Sequence, residues 1–352
     1  MLVLALAICA VGVLQIYSAT HDTLDYKSAW WKQILFIALG LLAMWMISSV
    51  DYHTLLGQVP LLYLAAIAGL ILVMIVGVEK NGGRRWIPLF GGFLLQVSEF
   101  VKLVIILLVA RYLTDLKSDQ LEGRDLWKLG GLVALPLVMV LRQPDLGTSL
   151  TYLPVFAAGI FFGGLNWRHG VILAVLAVAG SFLAWHFVLE DFQKARLVSF
   201  RDPELDPRGS GYQVIQSKIA VGSGGMWGRG VTRGTQTQLR FLPVGQADFI
   251  FATFGEENGF VGVVFGLGLY FLLVMQIVQN AQTAPDRAGM FLCMGVAAIL
   301  LFHLLVNVGM VVGQMPITGI PLPLMSSGGS STLSIFMMLG LVNNVRSRRF
   351  VN

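Results

Sequence analysis

The chain has 352 residues, of which 56% are hydrophobic and only 12% charged, with a mean hydropathy of +0.76 and a formal net charge of +5. That balance lies outside the range of soluble globular domains and excludes a water-soluble enzyme; no nucleic-acid partner is expected. The apolar residues fall in repeated stretches of about twenty, each long enough to cross roughly 30 Å of hydrocarbon, and lack the alternation of an outer-membrane barrel.

In chain order the pattern predicts an all-α polytopic membrane protein with ten spans, at 1–18, 30–49, 59–78, 96–113, 126–140, 148–165, 171–189, 259–278, 289–312 and 330–342. A large extracellular loop, 190–248, separates the seventh span from the eighth. The first stretch has no basic leader and no small-residue cleavage site, so it reads as a span and not as a removable signal. An even number of spans puts both termini on one side. The basic tail VRSRRFVN marks that side as the cytoplasm. Alternation then places Arg111, Lys117, Arg124, Lys128, Arg168 and Arg287 inside and the long loop outside, where a loop of that length is translocated regardless of its charge. The whole chain, 1–352, is expected to form a single membrane domain, with the active site carried by the loop. Cys9 and Cys293 both fall within spans and read as small packing residues without a disulfide framework. His21, His53, His169, His186 and His303 are scattered, which rules against a protein-caged zinc site.

The long loop is basic through Arg196, Arg201, Arg208, Lys218, Arg229, Arg233 and Arg240, and ends in LRFLPVGQADFIFATFGEENGF, where Asp248 runs straight into an apolar stretch. The cations suit either acidic lipid headgroups or a pyrophosphate-bearing substrate. Within the loop, DPELDPRGSGY reads as successive Asp-Pro and Gly turns, and 212–221 as a short helix with Tyr212, Ile215, Ile219 and Ala220 on its apolar side. GSGGMWGRG, 222–230, lacks the Lys-Ser/Thr ending of a phosphate-binding loop and follows no strand. Gly262 and Gly266 form a GxxxG pair suited to close helix packing.

Ionisable groups inside spans are functional candidates because each is costly in hydrocarbon. Glu99 and Lys102 lie three apart on one helical face, either as a structural ion pair or with Lys102 holding a substrate anion or positioning Asp248 while Glu99 orients the lysine. Glu256 and Glu257 pose the same question. NGGRRWI, 81–87, offers Trp86 as an interfacial anchor and Arg84 with Arg85 as ligands for phosphate oxygens. RQPDLGTSL, 142–150, sets Arg142 and Asp145 at a break between spans. PITGIPLPLMSSGGSS, 316–331, puts three prolines and Ser326 into irregular backbone, which is tolerated at membrane depth only where it lines protein or a water-filled cavity.

Taken together, NGGRRWI, QVSEFVK, RQPDLGTSL, FQKARLVSFRDPELDPRGSGYQVIQSKIAVGSGG, LPVGQADFIFATFGEENG and PITGIPLPLMSSGGSS resemble the shape, elongation, division and sporulation family of peptidoglycan glycosyltransferases. The likeness covers nearly the whole chain, and the GSGG and GTQTQLRFLP forms resemble the elongation branch more than the division branch. The resemblance implies a ten-helix enzyme of the bacterial cytoplasmic membrane that polymerises lipid II, the undecaprenyl-pyrophosphate-linked disaccharide peptide, on the outer face, with Asp248 as its catalytic residue. It further implies a class B penicillin-binding protein and other membrane proteins of the elongation complex as partners. Four positions depart from the family pattern: Val97 stands for Pro, Val244 for Glu, Ala247 for Thr and Ser327 for Tyr.

The chemistry agrees with the resemblance. Sugar transfer from a polyprenyl pyrophosphate needs one base to take the acceptor hydroxyl proton, and one carboxylate, Asp248, suffices. Unlike glycoside hydrolysis, where a second carboxyl protonates the leaving group, pyrophosphate leaves as a stable anion and needs positive charge. Arg84, Arg85, Lys102, Arg196, Arg201 and Lys218 are candidates to supply it, as is a divalent cation, Mg or Mn; Glu99, Glu257 and Ser326 are candidate supporting residues. A flippase for the lipid-linked precursor is the alternative, since many spans with interior charge also describe a carrier. Against it, the charges cluster toward the outer face and no matching pair of broken helices is expected. A scaffold that only recruits other wall enzymes leaves Asp248 unexplained.

Overall fold

A computed structural model describes residues 1–21, 28–80, 83–88, 93–116, 121–187, 189–207, 209–242 and 245–349. Lys117, Arg208 and Val244, and residues 81–82 of the NGGRRWI motif, fall outside the described residues. The chain is predominantly helical: α1 (Leu2–Thr20), α2 (Ala29–Ser49), α3 (Tyr52–Gly57) and α4 (Val59–Val76) lead into strands β1 (Val78–Lys80), β2 (Gly83–Pro88) and β3 (Leu94–Leu95). There follow α5 (Val97–Thr114), α6 (Gly123–Leu141), α7 (Leu146–Leu150), α8 (Tyr152–Phe162) and α9 (Trp167–Phe187). The long polar segment holds α10 (Asp191–Arg201), a 3-10 turn (Pro203–Leu205), α11 (Ser210–Ser223) and α12 (Thr235–Gln238). The chain closes with α13 (Ile250–Gln282), α14 (Arg287–Val311) and α15 (Gly329–Ser347).

Six of these helices, α1, α2, α4, α9, α13 and α14, are long and apolar enough to cross a membrane. Each stretch expected to span is helical, and α11 covers the short helix expected at 212–221. Unexpected are the three-stranded antiparallel sheet, with Glu79 opposite Arg84 and Ile87 opposite Leu95, and the helical content of the 190–248 segment.

The chain divides into two compact units. The first comprises Met1–Leu41, Phe192–Gln276 and Leu300–Ile335. Its core includes the fully buried Ile8 and Ile16 of α1 and Ala220 of α11, with Ile250 and Leu273 of α13. Gly12 lets α1 approach the 316–328 segment: a side chain there would meet the backbone of Met325 at 2.6 Å.

The first unit also shows what precedes the expected start of the eighth span. α13 does not begin at 259; the chain is helical from Ile250, and Gly259, at φ 66°, reverses it. The arm 250–258 folds back on the arm 260–282, so that Phe254 lies 2.8 Å from where a Gly266 side chain would start and Asn258 packs against Gly262. The GxxxG pair thus receives the preceding arm of its own helix. Reversal exposes backbone groups that a continuous helix would pair, and the Gly-rich segment satisfies them. Arg229 and Gly230 amides donate to the carbonyls of Glu256 and Glu257 at 3.1 and 2.9 Å, while those of Phe260 and Val261 donate to Gly225 and Met226 at 2.8 and 3.1 Å. Gly228, at φ 80°, fits because any side chain would strike the Glu257 carbonyl. GSGGMWGRG is therefore the complement of a broken helix.

The second unit comprises Leu42–Asp191, Ile277–Ile299 and Phe336–Asn352. Its centre is α5, packed against α4, α6 and α8, with Ile105, Ile106 and Leu113 buried. Tyr152 of α8 donates its hydroxyl to the Ser98 carbonyl at 3.0 Å, and Gln143 donates to the Leu70 carbonyl at 3.2 Å. α9 has no buried residue and presents Val178 and Phe182 outward, as a helix surrounded by lipid does.

Candidate functional site

In the first unit, Asp248 sits half-buried in a turn, 245–249, directly before the short arm of α13. Because the arm runs back along its partner, its nine residues at about 1.5 Å each set Asp248 roughly 13 Å from the reversal at Gly259. Its surroundings are fixed largely through backbone. Asn307 of α14 donates to the Asp248 carbonyl at 2.9 Å and to that of Ile320 at 2.8 Å. Ser326 donates to the Ala247 carbonyl at 2.7 Å and accepts from the Leu322 amide at 2.8 Å, and the Ser327 amide donates to the Gln246 carbonyl at 3.0 Å. Gly319, at φ 71°, places its missing side chain 3.5 Å from Oδ2 of Asp248, so the carboxylate lies against bare backbone.

The Pro-rich segment 316–328 is therefore the floor on which the 246–248 turn rests, joined to it by the contacts of Ser326. Two family departures, Ala247 and Ser327, take part in this seam through their own main-chain atoms, Ala247 accepting from the Ser326 hydroxyl and Ser327 donating to the Gln246 carbonyl, so these bonds do not use their side chains. Gln33 of α2 ties the far end of the segment, donating to Thr332 at 2.9 Å and accepting from the Gly328 amide at 3.2 Å. Among the described residues, Oδ1 of Asn307 and Oγ1 of Thr253 and Thr318 are buried oxygens without a hydrogen-bond partner.

Glu256 and Glu257 occupy the same unit and are both buried. Glu256 accepts from the Gln236 and Thr237 amides at 2.8 and 3.0 Å and from the Thr237 hydroxyl at 2.8 Å, capping α12 from outside. Glu257 accepts from Gln15 at 2.6 Å, from the Ser18 hydroxyl and from the Thr232 amide at 3.1 Å. These neutral donors offset the cost of burying two adjacent carboxylates. Each pins the 232–237 stretch to α13 or α1.

Lys218 of α11 is exposed and lies across Gly313, whose φ of 72° and lack of a side chain leave room for the ammonium stem. Arg196 and Arg201 stand on α10, the first half-buried and the second exposed. Asp206, in the polar segment between α10 and α11, accepts from the Ser210 amide at 2.7 Å and its hydroxyl at 3.0 Å. Slight burial pushes its carboxyl up, but the Ser210 side chain and the amides of Ser210, Gly209 and Gly211 outweigh this and hold it below the usual carboxylate value.

The second unit holds the remaining candidates. Lys102 is fully buried and Nζ lies 2.8 Å from Oε2 of the buried Glu99. Arg85 on β2 reaches Asp145 at 3.6 Å, and Gln96 donates to the same carboxylate at 2.8 Å. Asp145 in turn caps α7 through the Thr148 amide at 3.2 Å. Arg84, on the opposite face of the strand, is exposed and 3.9 Å from Glu79. The two adjacent arginines thus differ: Arg85 is tied into the helix break that contains RQPDLGTSL, while Arg84 faces outward.

Asn307, Gln33, Gln15 and Ser18 escaped sequence reasoning. Each is a neutral polar residue within an apolar stretch, and the cost of burying an unpaired amide or hydroxyl is the signal that marks them. Among the described residues no three His, Cys, Asp or Glu side chains gather as a metal site.

These features define a polytopic α-helical membrane protein that fixes one carboxylate at the mouth of a reversed helix. A family model described as "Cell cycle protein", covering FtsW, RodA and SpoVE, matches residues 1–350, and the chain belongs to that family. The peptidoglycan glycosyltransferase MrdB of Escherichia coli K12 is 37% identical over 99% of this chain and 93% of its own. A chain of a solved peptidoglycan synthase complex matches with a TM-score of 0.84 at 35% identity, covering 100% of this chain and 98% of its own. The crystal structure of the rod-shape-determining protein RodA of Thermus thermophilus matches at a TM-score of 0.73 and 30% identity, over 99% of this chain and 96% of that one.

Proposed function

We propose that this chain is a peptidoglycan glycosyltransferase of the elongation type, polymerising lipid II at the outer face of the bacterial inner membrane as a single ten-span membrane domain with both termini cytoplasmic. The observation that carries the reading is the arrangement around Asp248, a half-buried carboxylate set on backbone by Asn307, Ser326 and Gly319, in a family whose relatives are named for this activity. In this reading Asp248 takes the proton of the acceptor 4-hydroxyl as that oxygen attacks the anomeric carbon, an inverting transfer in which pyrophosphate departs as an anion.

Lys218, Arg196 and Arg201 are proposed to meet the pyrophosphate, with Arg84, Arg85, Glu99 and Lys102 as further binding or supporting residues. A divalent cation, Mg or Mn, enters only as a companion of the pyrophosphate, since the described side chains form no cage for it, and no step is assigned to it. The partner proposed is a class B penicillin-binding protein, alongside other elongation-complex membrane proteins. Its membrane helix would pack on the outer spans and its extracellular part would touch 212–230. The likeness to a chain of a peptidoglycan synthase complex supports this.

The test is incubation of the purified protein with lipid II, with and without the partner, followed by gel separation of the glycan. Polymer from the wild type and at least a hundredfold less from a well-folded Asp248→Asn variant is expected; near-normal synthesis by that variant would remove Asp248 from the mechanism. One observation favours a second reading, a flippase: α13 is broken, and discontinuous helices are the devices carriers use at their substrate sites. Flipping of lipid II in liposomes without any polymer would establish it.

A further inference from the structure

At one end of the second unit, where α4 begins, α5 ends and α6 begins, a cavity of about 650 Å³ opens between the three helices. It lies roughly 18 Å along α5 from Glu99, at the opposite end from Asp145 and the β-hairpin, and so is separate from the residues proposed above. Its wall is hydrocarbon, formed by Leu64 of α4, Leu108 of α5 and Leu132 of α6. Its rim is ionic, formed by Arg111, Lys128, Asp115 and Asp125.

The rim is ordered by local chemistry. Arg111 donates to the carbonyls of Leu56 and Gly57 at 2.7 and 2.9 Å, which fixes its guanidinium over the groove, 3.5 Å from the Asp115 carboxylate. Tyr112 donates to Asp125 at 3.3 Å, and Tyr63 to the Leu132 carbonyl at 2.7 Å. Lys128 is exposed at the edge, one turn of α6 beyond Asp125.

An apolar groove beneath a rim of fixed charge matches the two halves of a phospholipid, and the sign of the rim selects the headgroup. Among the described residues that line the cavity, two cations stand with two carboxylates, so a purely anionic headgroup would meet repulsion as well as attraction. A choline headgroup is zwitterionic, but its quaternary nitrogen has no N–H to donate. Ethanolamine carries three such donors. We propose that this groove binds one phosphatidylethanolamine, its phosphate on Arg111 and Lys128, its ammonium on Asp115 and Asp125, and an acyl chain along Leu64, Leu108 and Leu132.

The test uses the full chain in nanodiscs of equal parts dioleoyl phosphatidylethanolamine, phosphatidylglycerol and phosphatidylcholine, with the lipids that remain on the extracted protein read by native mass spectrometry. Phosphatidylethanolamine is expected at several times its share of the mixture. Asp115→Asn with Asp125→Asn should return it to that share, and Leu108→Trp, which fills the groove and leaves the rim intact, should do the same. Enrichment of phosphatidylglycerol instead, no lipid above its share, or enrichment that survives both variants would overturn the proposal.

Discussion

The side-chain amide of Asn307 joins the carbonyl of Asp248, at 2.9 Å, to that of Ile320, at 2.8 Å. One buried amide on a long apolar helix thereby holds the main chain of the candidate base against the Pro-rich segment. Position, not charge, is what Asn307 supplies.

Replacing Asn307 with Leu keeps its size and strips two buried carbonyls of their donor, at a cost of roughly 1–3 kcal/mol each. Glycan synthesis at saturating lipid II should fall at least tenfold while the apparent KM changes little, because the base is displaced and not the binding surface. Ser326→Ala should act in the same direction, with Ser326→Thr recovering much of the loss. Unchanged turnover in a well-folded Asn307→Leu protein would count against a positioning role.

Glu99 and Lys102 face each other at 2.8 Å with almost no exposure. Removing one partner of such a buried ion pair typically costs about 3–5 kcal/mol. Glu99→Gln and Lys102→Met should each lower the melting temperature, and the double variant should lose much less than the sum. Additive losses would show that the two act independently; a Lys102→Met protein of normal stability without activity would give the lysine a substrate-binding role.

Gly259 and Gly228 are each required by a positive φ and by close backbone on the side where a methyl would stand. Either one changed to Ala should destabilise the protein by at least about 1–3 kcal/mol from strain alone. Gly268, in the long arm of α13 with open space where a side chain would go, is the control. Gly268→Ala should be neutral or slightly stabilising. Thermal unfolding in one detergent compares all three.

Asp206 is held below its ordinary carboxylate value, so the stability it contributes is present in full above about pH 3.8, its unconstrained value, and is lost as pH falls through the lower folded value. Hydrogen exchange in the first turn of α11 should therefore gain an extra opening in the acid range, beyond the intrinsic pH dependence. Asp206→Asn should remove that extra step, and an unchanged profile would show that the cap is not what holds the turn.

The membrane class and the helical stretches were legible because hydrocarbon solvent imposes a coarse rule: long apolar runs, with every interior charge accounted for. Glu99 and Lys102 stood out for that reason. The reversal at Gly259 did not, because 250–258 and 260–282 are both apolar and helical, and only the sign of one φ angle separates a continuous rod from a hairpin. GSGGMWGRG carries no signal of its role in sequence beyond failing the phosphate-loop pattern, since its partners are the distant carbonyls of Glu256 and Glu257. Asn307 was passed over because a lone amide in an apolar run carries no pattern until its partners are seen.

The pairing of residues 224–230 with the broken helix has an evolutionary and engineering consequence. Because each supplies the backbone partners that the other lacks, neither has a complete structure alone, and the two can be exchanged between relatives only as one cassette, 222–261, together with the 232–237 contacts to Glu256 and Glu257. A chimera that swaps the polar segment but keeps the host's α13, or the reverse, breaks the backbone pairing that closes the reversal at Gly259. Insertions are better sited in the polar stretch before α11, where the seam does not run.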